Sequence, residues 1–481
     1  MTAAARPIIT SRSKIPIAAD RGRLRPLAGL GLALGAMGVS AATQTITILL
    51  LRFLTDSIAV AAATAAAIYA LAQFYDAAID PAVGLASDRT RTRWGRRRPY
   101  LMAGTVLLPL SIVLLFNMPA TLSAGTLLIY VTLLLIIQAT AGSIYKVPYA
   151  AIAVELCDDY HERSRMMAWR VGGNSIGLML GSTIPSWALA HWGADRASYG
   201  DMAWLIAAVV FLSCLGGTLL LPEDQRVPSA RPRLSAREYI ALAWDNRPFR
   251  IICLAHACFL IGVATVSSSN AYFTRHVLQS SDAWLGTFYI IMIVATLAAI
   301  PLWIKVSRIF DKKATYIAAL ALYSLLHLSW LAADAQESIV LRSLRVMLIG
   351  VALSGVMLLA YSMIADAIRY DALRTGLRRE GALSGIQSLV DKAFGVVGIA
   401  SMGLLMSALG YAVSDGSTIG VQPSSAITAI YISFSITPAV TGFAAIAILS
   451  LYRIPREVSE SRPATTGDAT DASSAAQDEK A

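Results

Sequence analysis

Phe74-Tyr75-Asp76-Ala77-Ala78-Ile79-Asp80-Pro81 leads, through Gly84-Leu85-Ala86-Ser87-Asp88-Arg89, to Trp94-Gly95-Arg96-Arg97-Arg98-Pro99. Asp76 and Asp80 lie inside a long apolar run. A charge at the centre of a membrane-spanning helix costs at least about 2.5–3.5 kcal/mol. Spacing i, i+4 puts the two carboxylates on one helical face. That face must look at protein or water, and the simplest reason to keep such a pair is that it binds a cation.

The whole chain has the composition of a membrane protein. Of its 481 residues, 56% are hydrophobic and 15% charged, with a mean hydropathy of +0.60. A soluble domain is nearer 45–50% apolar and about 25% charged. Twelve apolar runs are long enough to cross a hydrocarbon core of about 30 Å. They cover 27–54, 60–87, 98–117, 123–155, 164–191 and 203–222, then 248–273, 283–306, 313–333, 339–369, 382–410 and 424–453. The reading is an all-α membrane protein of twelve transmembrane helices.

The net charge of +10 does not point to nucleic acid, because the cations gather in short segments between apolar runs. Arg89, Arg91, Arg93, Arg96, Arg97 and Arg98 fill one such segment, and Lys305, Arg308, Lys312 and Lys313 another. Intervening loops hold very few cations. This is the positive-inside pattern, and it places both termini in the cytoplasm, with a bacterial inner membrane as the expected location. The expected divisions are a basic tail (1–26), a first six-helix bundle (27–222), a linker rich in Pro and Arg (223–247), a second bundle (248–453) and a polar tail (454–481). The four Cys residues, Cys157, Cys214, Cys253 and Cys258, show no metal-ligand set and read as packed thiols. Gly173-Asn174-Ser175-Ile176-Gly177 formally matches a nucleophile elbow, but Gly173, Gly177 and Gly181 inside a span read as helix packing. No nucleotide loop or catalytic triad is present, so the chain does not read as an enzyme.

Gly84-x-x-x-Asp88-Arg89 followed by Gly95-Arg96-Arg97 resembles the signature loop of the major facilitator superfamily. With Asp76-x-x-x-Asp80-Pro81 just upstream, the chain is similar to the glycoside–pentoside–hexuronide:cation symporters, the melibiose-permease group. The resemblance implies two six-helix bundles in the major facilitator fold, alternating access, and a coupling ion at Asp76 and Asp80 with Ser143 contributing. It implies gating by Asp88 as a latch acid between bundles, with Arg89, Arg96, Arg97 and Arg98. It also brings Tyr149, Arg170, Gln387 and Lys392 to a substrate cavity.

Two departures bear on the substrate. The positions where that group carries sugar-gripping acids on helices 1 and 4 are Ser40 and Lys146 here, and the stacking aromatic is Ala150. Lys146, Arg170 and Lys392 would then converge on the cavity and favour an anionic ligand, such as a uronate, a uronide or a sulfonated sugar. The competing reading is internal neutralisation, with Lys146 on Asp76 or Asp80 and Lys392 on Asp391, since buried charges are usually paired. A neutral glycoside, a lysolipid-like amphiphile and a non-transporting receptor stay open. The residue before the second Asp is Asn in the sodium-using relative and Ile79 here. This favours a proton as coupling ion, with Na+ as the alternative and no other metal or cofactor. The expected partners are a small sugar and the lipid bilayer, with the chain working as a monomer. His256 and His327 read as packing residues, and Arg52 as snorkelling to the interface.

Overall fold

A computed structural model of the chain describes residues 26–119, 123–155, 160–221, 244–375, 380–413 and 422–452. Each of the twelve expected spans coincides with a helix. In the first half these are α1 (Pro26–Asp56), α2 (Ala62–Arg89), α3 (Arg98–Phe116), α4 (Ala124–Glu155), α5 (Tyr160–Trp192) and α6 (Arg196–Leu220). The second half holds α7 (Arg247–Tyr272, extended by a π turn Phe273–Val277), α8 (Asp282–Ile309), α9 (Lys312–Leu328), α10 (Ile339–Thr375), α11 (Glu380–Ala408) and α12. α12 runs over Ser424–Tyr431, a π turn Ile432–Ile436 and Thr437–Ser450. The basic N-terminal tail, most of the linker and the polar C-terminal tail lie outside the described residues.

Ten of the helices are long and apolar enough to cross a membrane. α2 and α5 fall short because each holds charged or amide side chains along its length, Asp76 and Asp80 on one and Arg170 and Asn174 on the other. α6 starts earlier than the apolar run suggests. Asp195 caps it by accepting a hydrogen bond from the Ser198 backbone N–H at 3.1 Å, a signal of polarity rather than hydropathy.

Packing repeats between the halves. α1 packs on α5 and α6, as α7 does on α11 and α12; α3 bridges α4 and α6, as α9 bridges α10 and α12; α2 lies on α4, as α8 does on α10. Contacts between the halves follow the same symmetry, with α2 on α11, α8 on α5 and α1 on α7. Small residues make the close approaches. A Cβ at Gly173, Gly177 or Gly181 would overlap the carbonyl oxygens of Ala33, Met37 and Ala41 on α1, so the glycine ladder is helix packing as its spacing predicts. The two π turns meet through Phe273 and Phe434, whose rings stack 4.1 Å apart.

Candidate functional site

Tyr69, Gln73, Asp76 and Asp80 recur at helical spacing on one face of α2, looking across at α4 and α11. The Ser143 hydroxyl on α4 donates to Asp80 Oδ1 at 2.6 Å and lies 3.1 Å from Asp76 Oδ1. One turn on, Lys146 Nζ is 3.2 Å from both Asp76 oxygens and 3.3 Å from Asp80 Oδ2. Lys392 Nζ, from α11 in the other half, lies 2.9 Å from Asp76 Oδ2 and also bonds Asp80 Oδ2. Every one of the four carboxylate oxygens faces a donor. Two ammonium groups and two carboxylates cancel, which is how a buried group of charges remains tolerable.

This geometry corrects the sequence reading in part. Lys146 and Lys392 do reach the site, but they are held by Asp76 and Asp80, so three cations do not converge freely on the cavity. Lys392 takes the α2 pair rather than its neighbour Asp391. Ser40 is buried and donates to Asn174 Oδ1 at 2.5 Å. Tyr149 is buried, its hydroxyl on the Leu32 carbonyl, and the Arg170 guanidinium stands 5.9 Å from its ring. These three residues tie α1, α4 and α5 together and do not line the cavity described below. Gln387 sits one turn before Asp391 on α11.

Beside the cluster is a cavity of about 320 Å³. Its polar lining includes Thr43 and Thr47 from α1, Gln73 from α2, Gln138 from α4 and Asp391 from α11. Gln73 donates to the Tyr69 hydroxyl at 2.9 Å, which lies 3.3 Å from Thr47. Sequence reasoning missed these neutral groups, although the Tyr69–Gln73–Asp76–Asp80 spacing marks their face.

It also missed a second charged cluster, at the end remote from the Arg-rich loop. Arg52 does not snorkel: its side chain is 1% exposed, and its guanidinium grips the Asp282 carboxylate of α8 through both terminal nitrogens. Asp56 accepts from Tyr411 at 2.8 Å and from Arg275 at 3.4 Å. The Thr55 and Tyr272 hydroxyls meet at 2.8 Å. Gly286 packs on Thr183 and Gly403 on Ala66 at the same end. The two halves are thus sealed together at that face. In the Arg-rich loop, Asp88 pairs with Arg97 at 3.1 Å, within its own half, and among the described residues no ion pair takes it across to the other. Gly95, at φ 89°, closes the turn with its N–H on the Thr92 carbonyl at 3.1 Å.

A family model described as MFS/sugar transport protein matches residues 31–456. The chain belongs to this family. Its membership bears out the resemblance to the glycoside–pentoside–hexuronide symporters. A putative glycoside/cation symporter of Escherichia coli is 25% identical over 88% of this chain and 91% of its own length. A putative sulfoquinovose importer of Salmonella typhimurium is 26% identical over 58% of this chain and 59% of its own length. Among solved structures, the nucleoside transporter NupG superposes with a TM-score of 0.66 at 13% identity, covering 88% of this chain and 99% of that one. That likeness shows the twelve-helix major facilitator fold.

Proposed function

We propose that the protein is a proton-coupled importer of a small acidic sugar, working by alternating access. The observation that carries this is the balanced cluster of Asp76, Asp80, Lys146 and Lys392 beside the cavity. At neutrality its net charge is zero, and the cavity gains little by admitting an anion. One proton on either carboxylate leaves the cluster at +1 and frees part of an ammonium group to meet a carboxylate or sulfonate. Proton and anion then tighten each other's binding by the same factor, which is the thermodynamic requirement of symport. A Na+ ion would need about five or six oxygen ligands, and the oxygens present already face two ammonium groups, so a proton fits better.

The cavity volume sits near the lower end of the roughly 300–1,000 Å³ range of small-molecule sites. That favours a sugar over a lysolipid. The named sulfonated-sugar carrier among the relatives points the same way for charge. With the Arg-rich loop in the cytoplasm, the sealed face of the structure is the outer one.

Uptake into proteoliposomes tests the reading. An imposed inward proton gradient should drive accumulation of glucuronate or sulfoquinovose in sodium-free buffer, and a protonophore should abolish it. Strict sodium dependence would overturn the coupling, and competition by neutral glycosides but not by the acids would overturn the substrate class.

A further inference from the structure

Asp391 is the one cavity-lining carboxylate of α11, and among the described residues no Lys or Arg lies within ion-pair distance of it. Lys392, next in sequence, is committed to Asp76 and Asp80. The group that approaches Asp391 from α7 is His256, whose Nε2 lies 3.8 Å from Asp391 Oδ1. His256 is fully buried, and neither ring nitrogen has a hydrogen-bond partner. Buried polar atoms are nearly always paired, so a ring with two unpaired nitrogens aimed past a cavity carboxylate is an anomaly. Phe259 and Tyr361 hold the ring from two sides, at centroid distances of 6.2 Å and 5.4 Å. A separation of 3.8 Å is too long for a hydrogen bond. It is about 1 Å more than a proton shared between oxygen and nitrogen requires.

We propose that Asp391 and His256 form a second proton-binding site, in the second half of the molecule and separate from the Asp76–Asp80 cluster. A proton entering from the cavity adds to the Asp391 carboxylate. The resulting O–H donates to the Nε2 lone pair, with the ring hydrogen on Nδ1. The site passes from −1 to neutral, and no other bond is made or broken. The remaining groups around it are Cys253 on α7, Tyr361 on α10 and Gln387 on α11, whose amide hydrogen-bonds the carboxylate, and none of them is a cation. Across the interface, Asp76 of α2 and Lys146 of α4 line the same cavity, and the charges of Asp76 and Asp80 are balanced there by Lys146 and Lys392. On the acidic-sugar reading, which this inference deepens, neutralising Asp391 removes the cavity charge that repels the substrate, so uptake would carry a second proton.

Proton binding can be measured without any substrate, which keeps this test independent of the transport reading. Purified protein with its central cluster intact, reconstituted in lipid nanodiscs, is titrated potentiometrically. Asp391→Asn should remove about one proton per chain from the uptake above about pH 5, where an ordinary exposed Asp is already ionised. Asp391→Glu should restore it. His256→Phe, which keeps a planar ring but removes the acceptor, should lower the midpoint by about one pH unit or more. Superimposable curves with and without Asp391 over that range would overturn the site. An unmoved midpoint in His256→Phe would overturn the sharing of the proton. Matching thermal melts of the variants exclude misfolding as the cause.

Discussion

Asp282→Asn should unseal the face remote from the Arg-rich loop, the outer one in the proposed orientation. Arg52 is buried at 1% exposure and Asp282 at 12%, with two guanidinium nitrogens on one carboxylate. Removing one partner of a buried ion pair costs about 3–5 kcal/mol, because the other charge is left uncompensated. Here the loss is smaller. Asn keeps one acceptor oxygen, and Asp56 remains 3.8 Å from Arg52 Nε. A cost of roughly 2–3 kcal/mol follows from those two remnants. It falls only on the sealed state, since α1 and α8 belong to different halves and both side chains are hydrated once the halves part. At about 1.4 kcal/mol per decade, the ratio of open to sealed outer face should rise about 30- to 150-fold. The assay is labelling of a single cysteine placed at Thr43, in a background lacking the four native cysteines, with a membrane-impermeant maleimide added from outside. Labelling should accelerate at least about tenfold in Asp282→Asn. Arg52→Met with Asp282→Leu removes both charges and should return the rate toward that of the parent. Labelling within twofold of the parent in Asp282→Asn would refute the argument that this pair holds the gate.

Two further outcomes follow from the packing and the central cluster. Asp76→Asn or Asp80→Asn should abolish uphill accumulation in proteoliposomes while leaving binding measurable by thermal shift, because the coupling carboxylate is lost but the protein still folds; parental accumulation ratios in both variants would count against the assignment. Gly177→Leu should destabilise the purified protein by at least the roughly 1–3 kcal/mol of an overpacked core and so lower its melting temperature, since even a Cβ there meets the Met37 carbonyl of α1; an unchanged melt would mean that α1 and α5 separate more readily than their contacts suggest.

The helices are legible in the sequence because crossing a bilayer imposes length and apolarity on the chain, and a carboxylate pair inside such a run is too costly to be incidental. Helical spacing alone puts Asp76 and Asp80 on one face, and the structure brings Ser143 to both of them. For Lys146 the pairing with Asp76 or Asp80 is one of the two readings the sequence leaves open, whereas Lys392 is legible as a resident of the site but not as their partner. Sequence gives depth along a helix, whereas pairing depends on which faces turn toward one another across α2, α4 and α11. The outer gate escapes for the same reason. Arg52 near a helix end has the spacing of a snorkelling residue, and only the approach of α8 from the other half turns it into a buried ion pair. The family resemblance puts Ser40 and Tyr149 at the cavity, yet the ladder of glycines on α5 draws α1 close enough for Ser40 to bond Asn174, and Tyr149 packs over Gly35 of α1 with its hydroxyl on the Leu32 carbonyl.

The two charged clusters differ in a way that suits their places. The outer one joins Arg52 and Asp56 of one half to Arg275 and Asp282 of the other, so the halves cannot part there without hydrating four charges. The central one draws three of its four charges from the first half and only Lys392 from the second. A single proton on Asp76 or Asp80 weakens the hold on that one crossing lysine, and does so beside the cavity where the substrate's charge would take its place. The outer cluster, by contrast, touches neither cavity nor coupling carboxylates. Protonation at the centre can therefore change how tightly α2 and α11 are joined while the outer seal is governed by its own ion pairs. Coupling then requires that substrate and proton together alter the α2–α11 contact. Among the described residues Lys392 is the one charge that bridges the halves at the site, which on the proposed coupling makes it the residue through which occupancy is felt by the other half.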